Sequence, residues 1–293
     1  INNLKVNNNS VGNVNLIGSC NSTDIKKELY CNIKNLIVNN IKIKNNSANN
    51  IHLIGIFKSN DIYKDMDCNI QELTARNIKI DNKSIGKLPF STLQLDDLQC
   101  NGYFNSININ KSINCQVNNL DIKNIKIDNN SLDNLHFSGS YNSSDIKRYI
   151  NCNIKDLSIN NINVYNNSID YLYFNGLCNS NNITQYIDCK INDLVLNNVK
   201  VNNINIGDIK LNGLYQDNNI NCNLELPNIK HSLSCIGKII LNKNPNLDVI
   251  LKSNTPLILK NFKIKDNTIS TNCQYHIKLN HNNKHNSMNL DIK

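Results

Sequence analysis

The sequence predicts an all-β fold: an elongated, solenoid-like array of stacked strands in which a unit of about 37 residues recurs in series. Three observations carry this. The segments from Lys34 to Ile70, from Asn118 to Ile154 and from Lys155 to Ile191 are each 37 residues long and align without a gap. Inside each unit the apolar residues alternate with a period of two, the mark of a half-buried strand. No stretch sustains a helical period.

The array fills residues 1–226, in units at roughly 1–33, 34–70, 71–117, 118–154, 155–191 and 192–226. The unit from Gln71 to Val117 is 47 residues long, its extra ten falling before Asp97. Three columns keep the phase: glycine at 18, 55, 102, 139, 176 and 213, serine at 22, 59, 106, 143 and 180, and cysteine at 31, 68, 115, 152, 189 and 222. After Pro227 the repeat decays while alternation persists, as in Leu247, Val249 and Leu251, so residues 227–293 read as the same sheet continuing.

Within one unit the alternating pairs are Leu157 and Ile159, Ile162 and Val164, Leu172 and Phe174, then Cys189 and Ile191. The two asparagines between Ile159 and Ile162 shift the phase by one, which predicts a bulge that returns the apolar side to the same face. Asn-Asn-Ser at 166–168 reads as a hairpin connection. The column glycine marks a bend or bulge. Ser180 to Tyr186 reads as a helical turn or a loop. Each unit thus supplies two or three strands with one apolar face that only its neighbours can extend.

Composition excludes several classes. More than a fifth of the residues are asparagine, an AT-rich coding bias, yet 40% are hydrophobic and strictly placed, too many for a disordered chain. The net charge is +8, but Arg76 and Arg148 are the only arginines and the lysines are scattered, which describes a solvated face and no nucleic-acid groove. No run reaches the ~18–20 apolar residues of a membrane helix. The chain opens on Ile1 and reads as part of a longer protein, with any membrane anchor outside it.

The eleven cysteines read first as small buried hydrophobes. With two strands per unit, column neighbours stand ~10 Å apart, beyond the ~7 Å Cα limit of a disulfide. Pairs within a unit are the alternative: Cys20 with Cys31 and Cys178 with Cys189, where other units place Phe57, Phe104 or Tyr141. No CxxC occurs and no histidine accompanies the cysteines, so no metal site is expected. His276, His281 and His285 read as a polar tail, the acidic residues as scattered, and the Asn-x-Ser/Thr triplets as chance. No catalytic constellation and no cofactor motif is present, so the chain is expected not to be an enzyme.

A long one-sided apolar array either closes into a filled β-solenoid, a structural or adhesin-type protein, or stays open as a groove. The pattern Leu-x-Ile-x-Asn-Ile-x-Val…Ile-Asp-x-Leu-x-Phe-x-Gly over Leu157–Gly176 resembles the repeats of the AsmA-like and TamB (translocation and assembly module) proteins. The segment Leu247–Leu279 is similar to the TamB carboxy-terminal pattern. The cysteine column sets this chain apart from them. The resemblance implies an open β-taco spanning the periplasm of a Gram-negative cell, anchored to the inner membrane outside this segment. It also implies phospholipid movement towards the outer membrane, outer-membrane protein assembly and a β-barrel partner there. Carried onto this sequence, it makes Ile41, Ile43, Leu53, Ile125, Ile127, Leu135, Phe137, Ile162, Val164, Leu172 and Phe174 the groove lining, in passive contact with acyl chains.

Overall fold

The computed structural model describes residues 3–6, 9–22, 28–61, 65–85, 88–108, 112–145, 149–182, 186–216, 219–227, 231–240, 246–253, 257–264, 267–271, 274–282 and 285–292. For residues 81–92, 181–187, 231–233, 235 and those after Ile236 it describes the backbone alone. The chain is built of strands: β1 (Leu4–Val6), β2 (Asn9–Val11), β3 (Val14–Asn21), β4 (Leu29–Val38), β5 (Ile41–Ile43), β6 (Asn46–Ser59) and β7 (Met66–Ile85). There follow β8 (Leu88–Asn108), β9 (Ser112–Ile127), β10 (Asn130–Ser143), β11 (Ile150–Val164), β12 (Asn167–Asn182), β13 (Tyr186–Val201) and β14 (Ile204–Gln216). The last are β15 (Asn219–Leu226), β16 (His231–Ile240), β17 (Asn246–Ser253), β18 (Leu257–Ile264), β19 (Asn267–Thr271), β20 (Gln274–Asn282) and β21 (His285–Ile292). Among the described residues no helix is long and apolar enough to cross a membrane.

Nineteen of these strands form one antiparallel sheet that is not closed into a barrel. Each long strand bonds to the strands before and after it in the chain, so every repeat adds two strands to a growing meander. The short pieces β4 and β5 both pair with β6 and together occupy the place that the unbroken β11 takes beside β12. Antiparallel pairing of sequence neighbours is not the coil of a closed solenoid, so that alternative is set aside. Residues 227–293 continue the sheet through β16, β17, β20 and β21, while β18 and β19 leave it as a separate hairpin because β17 bonds directly to β20. The ten extra residues of the third unit lengthen the β7–β8 hairpin, which pairs as far as Ile85 and Leu88.

Three local devices repeat. The first is the glycine column. Beside it, β4, β7, β9, β11 and β13 each carry one extra residue at the same level, shown by register shifts such as Ile154/Leu157 on β11 and Ile191/Leu194 on β13. The opposing carbonyl there crowds the glycine: a Cβ on Gly139 would lie 2.5 Å from the Asn153 carbonyl oxygen, and one on Gly176 2.7 Å from that of Lys190. No side chain fits that gap.

The second is a column of left-handed asparagines, Asn40, Asn77, Asn124, Asn161 and Asn198, with φ between 49° and 56°. This is the Asn-Asn phase break of the sequence, and asparagine tolerates such φ better than most residues. The kink leaves Ile122 and Ile125, three apart, in one hydrophobic cluster.

The third closes the strand ends. The turns are two residues long, at Lys44–Asn45, Asp128–Asn129 and Tyr165–Asn166, one residue earlier than the Asn-Asn-Ser triplet, because Asn167 already pairs with Val164. At the opposite end the column serine clasps its loop, with Ser143 donating to the Tyr149 carbonyl and Ser106 to that of Ser112. There Asp65 and Tyr149 donate backbone N–H bonds to the carbonyls of Asp61 and Asp145. Residues 183–185 of the loop between Ser180 and Tyr186 lie outside the described ones.

Candidate functional site

The feature that runs through the whole array is its apolar face. Cross-strand pairing links Leu16, Leu36, Leu53, Leu73, Cys100 and Leu120 into one row, which continues through Phe137, Leu157, Phe174, Leu194, Leu211 and Leu224. With strands spaced about 4.8 Å apart, the row is on the order of 50 Å long. A second row flanks it, with Ile122, Leu135, Ile159, Leu172 and Leu196 paired in succession.

This face is not sealed. Among the described residues no side chain is less than 2% exposed, and most of the row is half-buried. The chain exposes 19422 Å², whereas a compact monomer of its mass exposes about 12,600 Å². A single open layer accounts for the excess, because a sheet face buries its side chains only against in-plane neighbours when nothing packs above it.

The lining residues carried over by resemblance fall at distinct places. Leu53, Phe137 and Phe174 stand in the main row, and Leu135 and Leu172 in the flanking one. Ile125 is the most buried of the set at 8%, packed with Leu93, and Ile127 and Leu135 lie against that cluster. Ile162 occupies the place of Ile125 one repeat on, paired with Ile169. Ile41 pairs with Ala48 and Val11 near the strand ends. Ile43 and Val164 sit beside the turns and are exposed. The central groups form one continuous surface; the turn-end groups are its rim. The aromatic rings sit over the glycine gaps: Phe137 Cζ stands 3.1 Å from the position a Gly139 Cβ would take.

The cysteine column lies on this sheet as a ladder. Across successive strands the order is Cys31, Phe57, Cys68, Phe104, Cys115, Tyr141, Cys152, Cys178, Cys189 and Tyr215. Cys20 and Cys31 form a disulfide with their Cα atoms 4.1 Å apart. Cys178 and Cys189, opposite each other on β12 and β13, are free thiols. Burial pushes the Cys68 thiol up to about 11, and burial with a hydrogen bond to Cys178 pushes Cys189 up to about 12. No group of three or more metal-ligating side chains occurs among the described residues.

The polar face carries contacts that the sequence did not reveal. His136 lies opposite Asp121 on one side and Ser158 on the other, and lines a cavity of about 380 Å³ with Gln99, Lys123 and Asn160. Its Nδ1 is 2.7 Å from Asp121 and its Nε2 is 4.0 Å from Asp156. With a carboxylate facing each nitrogen, the ring bridges two acidic side chains on an open face, and Ser158 gains no base. Partial burial pushes the Asp121 carboxyl up, but hydrogen bonds from His136 and Asn119, with the charges of His136 and Lys123, hold it below the usual carboxylate range. The acidic residues that read as scattered fall partly into a column: Asp96, Asp133 and Asp170 each accept from the kinked asparagine 28 residues on. The signal was present as Asn and Asp keeping the repeat phase.

Fold and face together define a class: an open antiparallel repeat sheet with one continuous, solvent-accessible apolar side. No family model, curated protein or solved structure matches the chain.

Proposed function

We propose that the sheet is a periplasmic groove that shelters acyl chains and supports phospholipid transport between the inner and outer membranes, in the manner of the AsmA-like and TamB proteins it resembles. The observation behind this reading is the unbroken apolar row from Leu16 to Leu224, half-open to solvent along its whole length. Contiguous apolar patches of that extent on a soluble face mark a binding surface. Each methylene of an acyl chain withdrawn from water contributes about 0.8 kcal/mol, and the row presents no polar step that a sliding chain must cross. The Cys20–Cys31 disulfide fits an oxidising compartment such as the periplasm. An outer-membrane β-barrel partner and an inner-membrane anchor beyond this segment complete the proposal.

The test is native mass spectrometry with lipid extraction of the chain purified from a Gram-negative periplasm. Co-purified phospholipid is expected, and Phe137→Asp, which places a carboxylate in the middle of the row, is expected to remove most of it while circular dichroism stays that of a sheet. A lipid-free, protease-resistant rod would move the reading to a structural or adhesin-type role.

A further inference from the structure

Cys178 is flanked by a thiol on each side. Cys152 stands directly opposite it on β11 and Cys189 directly opposite it on β13, and all three are free. Among the free cysteines of the described residues, no other has thiols directly opposite on both neighbouring strands; its equivalents are Cys20 in the first repeat and Phe57, Phe104 and Tyr141 in those between.

The two flanks differ in kind. In an antiparallel sheet the N–H and C=O of one residue point to the same neighbour, so a residue makes a wide hydrogen-bonded pair on one side and a narrow pair on the other. Cys20–Cys31, the repeat equivalent of Cys178–Cys189, is a narrow pair, with Cα atoms 4.1 Å apart. Cys178–Cys189 is therefore the narrow pair and Cys152–Cys178 the wide one. Both types of pair, at about 4.5 and 5.5 Å, fall within the Cα range that disulfides span. Cys152 and Cys189 stand two strands apart, about 10 Å, and cannot bond to each other.

We propose that Cys152, Cys178 and Cys189 form a thiol–disulfide exchange site in which Cys178 bonds to Cys189 within its repeat or to Cys152 across the repeat boundary, leaving the third thiol free. Adjacent strands place Cys152 and Cys189 on opposite sides of Cys178. Exchange needs a thiolate on one side of the central sulfur and a leaving sulfur on the other.

With a small-molecule disulfide as oxidant, the Cys178 thiolate attacks one of its sulfurs, forming a mixed disulfide and releasing one thiol. The Cys189 thiolate then attacks the Cys178 sulfur and releases the second thiol. Two protein thiols are oxidised, one external disulfide is reduced to two thiols, and the protons lost by the cysteines are taken up by the leaving thiolates. In the exchange step the Cys152 thiolate attacks the Cys178 sulfur and Cys189 leaves, with no net oxidation. Burial raises the Cys152 and Cys189 thiols, so exchange is slow at neutral pH and quickens about tenfold per pH unit below the thiol pKa.

The test uses the full chain treated with oxidised glutathione at pH 8.5, quenched by alkylation and mapped by peptide mass spectrometry, with Cys20–Cys31 as the internal reference. Wild type is expected to yield the 178–189 link as the major species and the 152–178 link as the minor one. Cys189→Ser is expected to convert the chain to the 152–178 link. Cys178→Ser is expected to leave Cys152 and Cys189 both alkylated. Three alkylated thiols in oxidised wild type would overturn the proposal. So would failure of Cys189→Ser to form the 152–178 link, or a 152–189 link in Cys178→Ser.

Discussion

The side-chain amide of Asn161 donates to Oδ2 of Asp133 at 2.7 Å, joining residues 28 apart in the chain, and Asn161 itself stands at φ 51°. The same bond joins Asn124 to Asp96 at 2.8 Å and Asn198 to Asp170 at 2.9 Å. One residue type performs two tasks in these three repeats: it accepts a left-handed backbone, and its amide ties the kink to a carboxylate on the strand before. A second asparagine column works at the turns. The Oδ1 of Asn167 accepts from the Asn202 backbone N–H at 3.0 Å, as that of Asn9 does from Lys44.

Two variants separate those tasks at Asn161. Asn161→Ala is expected to cost about 1–2 kcal/mol, through strain at positive φ and loss of the bond to a carboxylate. Asn161→Gly relieves the strain and loses only the bond, at about half that cost. Hydrogen exchange of the β10–β11 amides reads this locally, which matters because a long repeat array need not unfold in one step. Equal losses in both variants would show that the backbone conformation contributes nothing.

Gly139→Ala is expected to destabilise the sheet by about 1–3 kcal/mol, the range for forcing extra atoms into a filled space. The added methyl meets the Asn153 carbonyl oxygen at 2.5 Å, and backbone cannot swing aside as a side chain does. Ser138→Ala, next to it, is expected to stay within about 0.5 kcal/mol. A urea titration of both variants checks the contrast.

Asp65 sets the expected acid response of its loop. Its Oδ1 accepts from the Asp61 and Asn60 backbone N–H groups at 2.8 and 2.9 Å and from the Ser59 hydroxyl at 2.9 Å. The bond from the Asp61 amide is the largest influence, and it and the others outweigh slight desolvation to hold the carboxyl below its ordinary range. A depressed pKa stabilises the folded loop above the unfolded value and is lost as the pH falls through the folded one. Protection of the Asn60 and Asp61 amides is therefore expected to hold at pH 5 and to fade below about pH 4. Asp65→Asn is expected to weaken it at every pH.

Cys68 offers a reactivity test of burial. With its thiol pushed up to about 11, its thiolate fraction at pH 8 is more than 100-fold below that of a free cysteine with a pKa of about 8.5. Timed iodoacetamide labelling of the native chain is expected to show Cys68 lagging by at least that factor, and to lose the lag in urea. Rapid labelling of native Cys68 would mean that the column is open to solvent.

What the sequence determined by itself was local and periodic. The 37-residue unit, its alternating strands, the Asn-Asn phase break and the glycine bend are all properties of a few consecutive residues, and a period-two pattern fixes which of them share a face. The hairpin turn was legible to within one residue, because Asn-Asn-Ser permits the turn at either of two positions and only the Val164–Asn167 pairing selects one.

Tertiary structure decided what depends on which strand lies beside which. A one-sided apolar repeat is compatible with a coil that seals its core and with a meander that leaves it open. The choice rests on antiparallel pairing of successive strands, which no single unit encodes. The same pairing put Cys178 between two thiols, Asp121 and Asp156 on either side of His136, and Asp133 under Asn161, residues whose separations of 11 to 28 look arbitrary along the chain. The strand spacing of about 4.8 Å makes neighbours of residues that the sequence holds a whole strand apart, and for that reason the ladders became visible only in the folded sheet.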